Sequence, residues 1–367
     1  MDFSLNEFQD MLADSVGKFV DNEYPFSTRQ ANADSEAGFG AETWASFCEL
    51  GWTALPFSEA DGGLDGSPLE TMLLMQQFGR GLVVEPYLAN IVLAGGVLRR
   101  LANDAQKQRW LQPIIEGQLQ AALAIAEPQN RYDFAALETR ASPDGDDWVI
   151  KGKKSVVFNG GNAELLIIPA RTDGISLFAV ASDNPGIRVQ RYRTVDGSSA
   201  ADVTFNDARV GGDALLGDAG SGLETLTTVI DEATLAVCAE AVGIMQALTD
   251  KTVEYCKNRV QFGVPIGSFQ ALQHRMVDML TATEQSHSLL LWATMAYAGG
   301  TEEAQRAIHA IKYQVGTAGK LVGQEAIQLH GGMGMSWEVD VGHYFKRLTV
   351  ISQILGNADW HLDHLVD

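Results

Sequence analysis

The sequence predicts an α+β chain in three parts: a helical N-terminal domain over residues 1–117, a β middle domain over 118–217 and a C-terminal four-helix bundle over 218–367. Three observations carry this. Up to Gly117, apolar residues recur at helical spacing. After Gly117 they fall into short runs, WVIKGKKSVVFNGG, ELLIIPAR, ISLFAVAS, GIRVQRYR and AADVTFNDARV, separated by Gly, Asp, Asn and Pro. From Leu223 the helical period returns almost to the end, broken at 263–267, 299–300 and 331–334. With 367 residues, 46% hydrophobic and 20% charged, the chain can bury a large core.

Taken in order, Ser4 and Glu7 have the spacing of a capping box. Phe8, Met11, Leu12, Phe19 and Val20 follow on one helical face. Tyr24-Pro25 stops that helix, because the residue before a proline is steered away from helical conformation. Residues 42–50 read as a second helix with Trp44, Phe47 and Cys48 inward, and ELGWTALPFSEADGGLDGS as an irregular glycine-rich loop. Helices follow at 69–78, 87–101 and 104–116, the last closed by Gly117. The β-rich runs suggest an antiparallel barrel or sandwich. Residues 218–222 form a linker, and four long helices beyond it read as an antiparallel bundle.

A net charge of −21 argues against nucleic acid or an anionic membrane as partner, since both require basic patches. Cys48, Cys238 and Cys256 lack metal or redox spacing and suit a reducing compartment. No apolar run reaches membrane-spanning length and no signal-like start is present, so a soluble cytoplasmic protein is expected.

Two stretches carry candidate chemistry. In NRVQFGVPIGSFQALQ, Arg259, Phe262 and Gln270 flank a short arm between two helices. Arg for charge, Phe for stacking and Gln for hydrogen bonds suit a diphosphate and an adenine, although an Arg at a helix end also has an ordinary role beside the helix dipole. In QLHGGMGMSWE, Gly331, Gly332 and Gly334 end a helix and allow close backbone approach by a ligand. Together, in this order and near the C-terminus, the two stretches resemble the acyl-CoA dehydrogenase family, and the likeness covers essentially the whole chain. The Leu-Gly-Trp…Glu-x-x-Gly-Gly pattern of residues 50–63 resembles the family as well.

The resemblance implies a helical N-terminal domain, a β-barrel middle domain and a C-terminal four-helix bundle, with FAD as cofactor and an acyl-CoA as substrate. It implies that Arg259, Phe262, Gln270, Gln328, Gly331 and Gly332 bind the ADP half of an FAD whose ring lies in a neighbouring subunit. Elsewhere the chain departs from the family pattern. Glu127, Pro128 and Asp133 match the segment that contacts flavin and substrate, but Ala126 and Tyr132 replace its two hydroxyl residues. Val156 stands where a Trp shields the flavin ring, and Phe158 where a hydroxyl residue bonds it. Flavin carbonyls and nitrogens left unpaired cost ~1–3 kcal/mol each.

The family's catalytic carboxylate is missing from both of its usual positions, which are Ala233 and Gly356 here. Glu232 is one residue, about 100° of helix, from Ala233. Glu240 lies two turns along the same face, in the apolar run CAEAVG. These two are the candidate bases, each with a structural alternative: a solvated first-turn acid for Glu232 and a buried carboxylate paired with an Arg or a backbone donor for Glu240. The pattern is similar to the small subunits of heteromeric acyl-CoA dehydrogenases, such as the pimeloyl-CoA type and the paired enzymes of steroid side-chain breakdown. That likeness implies a larger catalytic partner subunit and an electron-transfer flavoprotein as acceptor. The alternative is a non-catalytic scaffold that only completes a partner's FAD site. A metal-binding bundle, suggested by Glu284-x-x-His287 or by His361 and His364 beside Asp359 and Asp363, is disfavoured and no metal is expected, because one copy of the first motif is present where two are needed.

Overall fold

The structure is a computed structural model that describes residues 5–366. Helix α1 (Glu7–Asn22) starts at a capping box, but its partners are Asn6 and Gln9. The Gln9 amide N–H donates to Asn6 Oδ1 and the Asn6 N–H to Gln9 Oε1; the predicted Ser4 lies outside the described residues. Gln9, Leu12, Val16, Phe19 and Val20 form the buried stripe, whereas Phe8 and Met11 are exposed. A polar contact shifts the stripe: Gln9 Nε2 donates to Glu70 Oε1 at 2.8 Å, placing Gln9 inward. Helix α2 (Phe26–Asp34), not foreseen, follows Pro25 directly. Its polar sequence hides it, yet Pro is favourable just ahead of a first helical turn.

Helix α3 (Ala41–Glu49) buries Trp44 and Phe47 and leaves Cys48 half-buried. Helix α4 (Pro68–Gly81) begins with a Ser67/Glu70 capping box and Pro68 in its first turn. The next predicted helix is π-helical over Leu88–Gly95 and continues as α5 (Gly96–Leu101). Helices α6 (Asp104–Gln106) and α7 (Gln112–Ile115) are joined by a π-helical turn, Lys107–Leu111.

Eight strands make one sheet: β1 (Ala121–Leu123), β2 (Arg140–Asp144), β3 (Asp147–Phe158), β4 (Leu165–Arg171), β5 (Ile175–Ala181), β6 (Ile187–Arg193), β7 (Ser199–Val210) and β8 (Leu215–Leu216). Their order is β6-β7-β3-β2-β4-β5-β8, with β1 beside β4. Pairing is antiparallel except between β1 and β4 and at one β2–β4 residue pair. In a flat sheet, β3 and β5 would stand roughly 14 Å apart with two strands between them. Trp148 on β3 and Phe178 on β5 nonetheless meet edge to face at 5.4 Å. The sheet therefore curls around one core of Ile150, Val157, Leu166, Ile168, Phe178, Val203 and Phe205, as a barrel does.

The C-terminal part has three long helices, α8 (Leu223–Asn258), α9 (Gln270–Ala298) and α10 (Ala304–His330), and two short ones, α11 (Val341–Ile351) and α12 (Ala358–Val366). Helices α9, α11 and α12 all pack on α10. No described helix is long and apolar enough to cross a membrane. The chain divides into two compact units. One comprises the residues up to Gln30, Ser67–Val83 and those from Thr234 onward; the other comprises Ala31–Gly66 and Val84–Ala233. In the first unit α4 and α8 touch backbone to backbone. A Cβ on Gly79 would lie 2.1 Å from the Glu240 carbonyl oxygen, and one on Gly243 would lie 1.9 Å from that of Gln76.

Neither carbonyl can swing away without breaking its helix. Gly79→Ala and Gly243→Ala are therefore each expected to destabilise the protein by about 1–3 kcal/mol, read as a lower denaturant midpoint. Gly300→Ala, whose Cβ would meet nothing within 4 Å, should cost less even though its φ is positive.

Candidate functional site

The arm predicted at 263–267 is a two-residue hairpin. Helix α8 ends at Asn258, β9 (Val260–Gln261) pairs with β10 (Val264–Pro265), and the Ile266 N–H donates to the Arg259 carbonyl at 2.8 Å. Phe262 and Gly263 form the turn with φ of 54° and 82°. Positive φ at both positions gives the twist a tight hairpin needs, and it is unfavourable for Phe. Phe262 is 92% exposed and touches the ring of Phe269 edge-on at 6.2 Å. Arg259, Gln270 and Gln328 are also exposed, and their side chains make no hydrogen bond or ion pair with any described residue.

Helix α10 ends at His330. Gly331 then takes φ 59°, ψ −137°, a conformation open to glycine, and a Cβ on Gly331 or Gly332 would meet nothing within 4 Å. Both backbones are thus free for close approach. The two motifs converge through a contact that local sequence patterns do not reveal. The Tyr255 ring stacks on His330 at 4.3 Å, and its hydroxyl donates to the His330 carbonyl at 3.4 Å. Tyr255 also accepts the Arg259 N–H at 2.8 Å. Arg259 and the glycine turn thus flank one joint. This end of the chain fits an ADP group: unpaired charge, an exposed aromatic ring, amide side chains and open backbone.

The predicted ring end does not fit a flavin. Glu127 is buried and saturated. Its carboxylate accepts from Lys154 Nζ (2.8 Å), Gln129 Nε2 (2.7 Å) and the N–H groups of Glu138 (2.6 Å) and Thr139 (3.1 Å). Burial pushes this carboxyl upward, but Lys154 and the hydrogen bonds outweigh it and hold it below the ordinary range. Burial lowers Lys154 to about 8 against the pull of Glu127. Asp133 caps a local turn through the N–H groups of Ala135 and Ala136. Ala126, Val156 and Phe158 offer no polar side chain.

Both candidate bases are occupied. Arg99 spans the two Glu232 oxygens at 2.7 Å each, and Arg100 adds a contact at 2.6 Å. Arg347 holds Glu240 in a two-pronged pair at 2.5 and 2.7 Å. Such geometry uses the oxygens that a base would offer. Of the usual base positions, Ala233 is fully buried. Gly356 has φ +104°, and a Cβ there would lie 2.3 Å from His361 Nε2. His361 and Trp360 thus fill the space where a carboxylate side chain would begin.

That filling is itself ordered. His361 Nε2 lies 2.9 Å from the Leu355 carbonyl, which can only accept, so His361 carries its proton on Nε2. Its Nδ1 then accepts from His309 Nδ1 at 2.8 Å. His364 stacks on His309 at 5.1 Å. Buried Lys312 donates to the carbonyls of Ile351 (3.0 Å) and Gly356 (2.6 Å). Burial, with His364 adding to it, lowers His309 to about 4. Burial and the nearby Lys312, His309 and His364 charges lower His361 to about 3. Asp359 and Asp363 face solvent, and no described group of three His, Cys, Asp or Glu residues is arranged to hold a metal. Lys312 had a sequence signal in its apolar stripe of Ile308, Ile311 and Val315; the partners of Glu240 and His330 had none.

Two outcomes follow. Arg347→Met should cost about 3–5 kcal/mol by leaving the Glu240 carboxylate buried and unpaired, and Glu240→Gln should cost less, both read by denaturant unfolding. Because His309 and His361 titrate lower in the folded chain, the unfolded chain binds more protons below pH 6.5. Stability should therefore fall as pH drops from 6.5 toward 4, with about 2 kcal/mol lost through His361 by pH 5. His361→Gln should flatten that part of the stability–pH curve.

Comparison with known proteins identifies the family. The acyl-CoA dehydrogenase N-terminal, middle and C-terminal domain families match residues 6–118, 122–208 and 220–367. The chain is 31% identical over 353 residues to a probable acyl-CoA dehydrogenase of Bacillus subtilis, covering 93% of this chain and 92% of that protein. Among solved structures it is similar to the ChsE4-ChsE5 complex from Mycobacterium tuberculosis, with 26% identity, TM-score 0.92 and coverage of 100% and 98%. It is likewise similar to PigA solved with FAD and proline, with 25% identity, TM-score 0.92 and the same coverages.

Proposed function

Because the chain belongs to the acyl-CoA dehydrogenase family of oxidoreductases, we propose that it is the smaller subunit of a heteromeric, FAD-dependent acyl-CoA dehydrogenase. The reaction removes a proton from the carbon beside the thioester carbonyl and a hydride from the next carbon, leaving an α,β-unsaturated thioester. FAD supplies the hydride acceptor when bound, and an electron-transfer flavoprotein takes the electrons onward. The larger subunit contributes the carboxylate base and the wall for the flavin ring. This chain contributes the ADP end. Arg259 supplies charge to the diphosphate, Gln270 and Gln328 supply hydrogen bonds, Phe262 supplies an aromatic face, and Gly331 and Gly332 admit the ligand to the backbone.

One observation carries this reading: the groups suited to ADP are exposed and unpartnered, while the ring wall offers no polar side chain and both base positions are filled. The arginine-locked Glu232 and Glu240 also favour the narrower version in which this chain is a scaffold and performs no proton transfer itself. The complex solved for ChsE4-ChsE5 lends the heteromer support by likeness.

The test is Arg259→Ala in the complex with the larger subunit. Loss of a charge-assisted hydrogen bond worth ~1.5–3 kcal/mol should weaken FAD affinity roughly tenfold or more, read from flavin absorbance after dialysis. Full flavin retention by an intact complex would contradict the assignment.

A further inference from the structure

Two non-glycine residues of the sheet have left-handed backbone, Asp207 on β7 and Val156 on β3, and Val156 is the β-branched one. It has φ +52°, a conformation rarely open to a β-branched residue. It sits where the β3–β7 register slips between Lys154 and Val157, and its side chain is 43% exposed. Backbone held in so sparse a region needs surroundings that impose it, and such positions cluster at functional sites. Here the imposing groups are two side chains. The Val156 N–H donates to Tyr192 Oη at 3.1 Å and more weakly to Asp202 Oδ1 at 3.4 Å. Tyr192 Oη donates to the same Asp202 oxygen at 2.9 Å, and Lys153 Nζ holds the other at 2.9 Å.

Several neighbouring donors are spent on the chain itself. The Ser155 N–H donates to the Ala126 carbonyl, Asn159 to Ser199 and Gly160 to Val157, while the Glu127 N–H donates to Asn130 Oδ1. Val157 and Phe158 are registered against Ala201 and Ala200 in the β3–β7 ladder. Val156 differs from its neighbours in one respect: surface side chains, not backbone or a buried group, satisfy its N–H. Burial, seconded by Asp202, raises the Tyr192 phenol to about 12, so the proton it donates stays in place. Burial raises Asp202, but its bonds to Lys153 and Tyr192 outweigh this and hold it ionised.

We infer that Tyr192 and Asp202 form a lock that keeps a flavin ring off this chain's own sheet. The lock occupies a surface amide of this wall that a ring carbonyl could use and sets a carboxylate beside it. This rests on the reading that places the ring wall at Ala126, Val156 and Phe158. The lock's effect is on stoichiometry: flavin rings go to the larger subunit, and this chain's Arg259 arm stays available for the partner's ADP group.

The experiment compares wild type with Tyr192→Phe/Asp202→Ala, each as the full chain alone, titrated with FAD and separately with ADP. The inference predicts that the variant binds FAD roughly fivefold more tightly, one hydrogen bond regained and a repulsive charge removed, with ADP affinity unchanged. If wild type is weak for FAD and the variant is no tighter, the lock is wrong and the subunit reading stands. Equal tightening for FAD and ADP would also overturn the lock, because ADP lacks the ring. If wild type alone already carries one tight FAD per chain, the subunit reading itself falls. Tyr192→Phe alone, which keeps the ring's packing, should move FAD affinity in the same direction and covers failure of the double variant to fold.

Discussion

The contact on which the helical unit depends is the crossing of α4 and α8 at Gly79 and Gly243. Two helices can touch through backbone only where neither carries a Cβ, and here each glycine faces the other helix's carbonyl oxygen. The crossing fixes the axis of α8, which carries two consequential residues along its length and delivers a third just past its end. Glu240 lies at the crossing and binds Arg347 of α11. Tyr255, near the far end, stacks on His330 and ties α8 to the end of α10. Arg259 leaves the helix one turn later and starts the exposed hairpin. An error of one residue in the crossing would rotate all three by about 100°.

Charge placement explains why neither Glu232 nor Glu240 presents a free carboxylate. Three of the acidic side chains that lie largely out of water are held by cations: Glu127 by Lys154, Glu240 by Arg347 and Glu232 by Arg99 and Arg100. A buried carboxylate without such a partner is costly, and one with it is committed to structure. At Gly356 the space is taken by imidazole and indole, and buried Lys312 clamps the same turn through carbonyl oxygens. The turn at Gly356 is here a packed corner with no carboxylate.

Much of this was legible in the sequence. The switch of apolar period near Gly117 and again near Leu223 marks where helix gives way to strand and returns. The Arg259 and Gln328 stretches stood out by composition and turn residues. What stayed hidden is what local pattern does not encode. Helix α2 is polar and short. Phe8 and Met11 fit the helical face by spacing, yet the Gln9–Glu70 hydrogen bond, 61 residues apart in sequence, turns α1 away from them. The Tyr255–His330 joint spans 75 residues and the Arg347–Glu240 pair 107. Such partners are chosen by the fold: an Arg partner for Glu240 was open to the sequence, but which arginine holds it was not.

The central claim is a division of labour, with the ADP end of FAD on this chain and the flavin ring on a larger partner. Its most direct measurement is flavin content per polypeptide, together with acyl-CoA turnover using an artificial electron acceptor, for the chain alone and co-expressed with its larger partner. The account predicts little flavin and little turnover alone, and in the complex one FAD for each pair of unlike chains with turnover restored. One tight FAD per chain and acyl-CoA oxidation by the chain alone would contradict it.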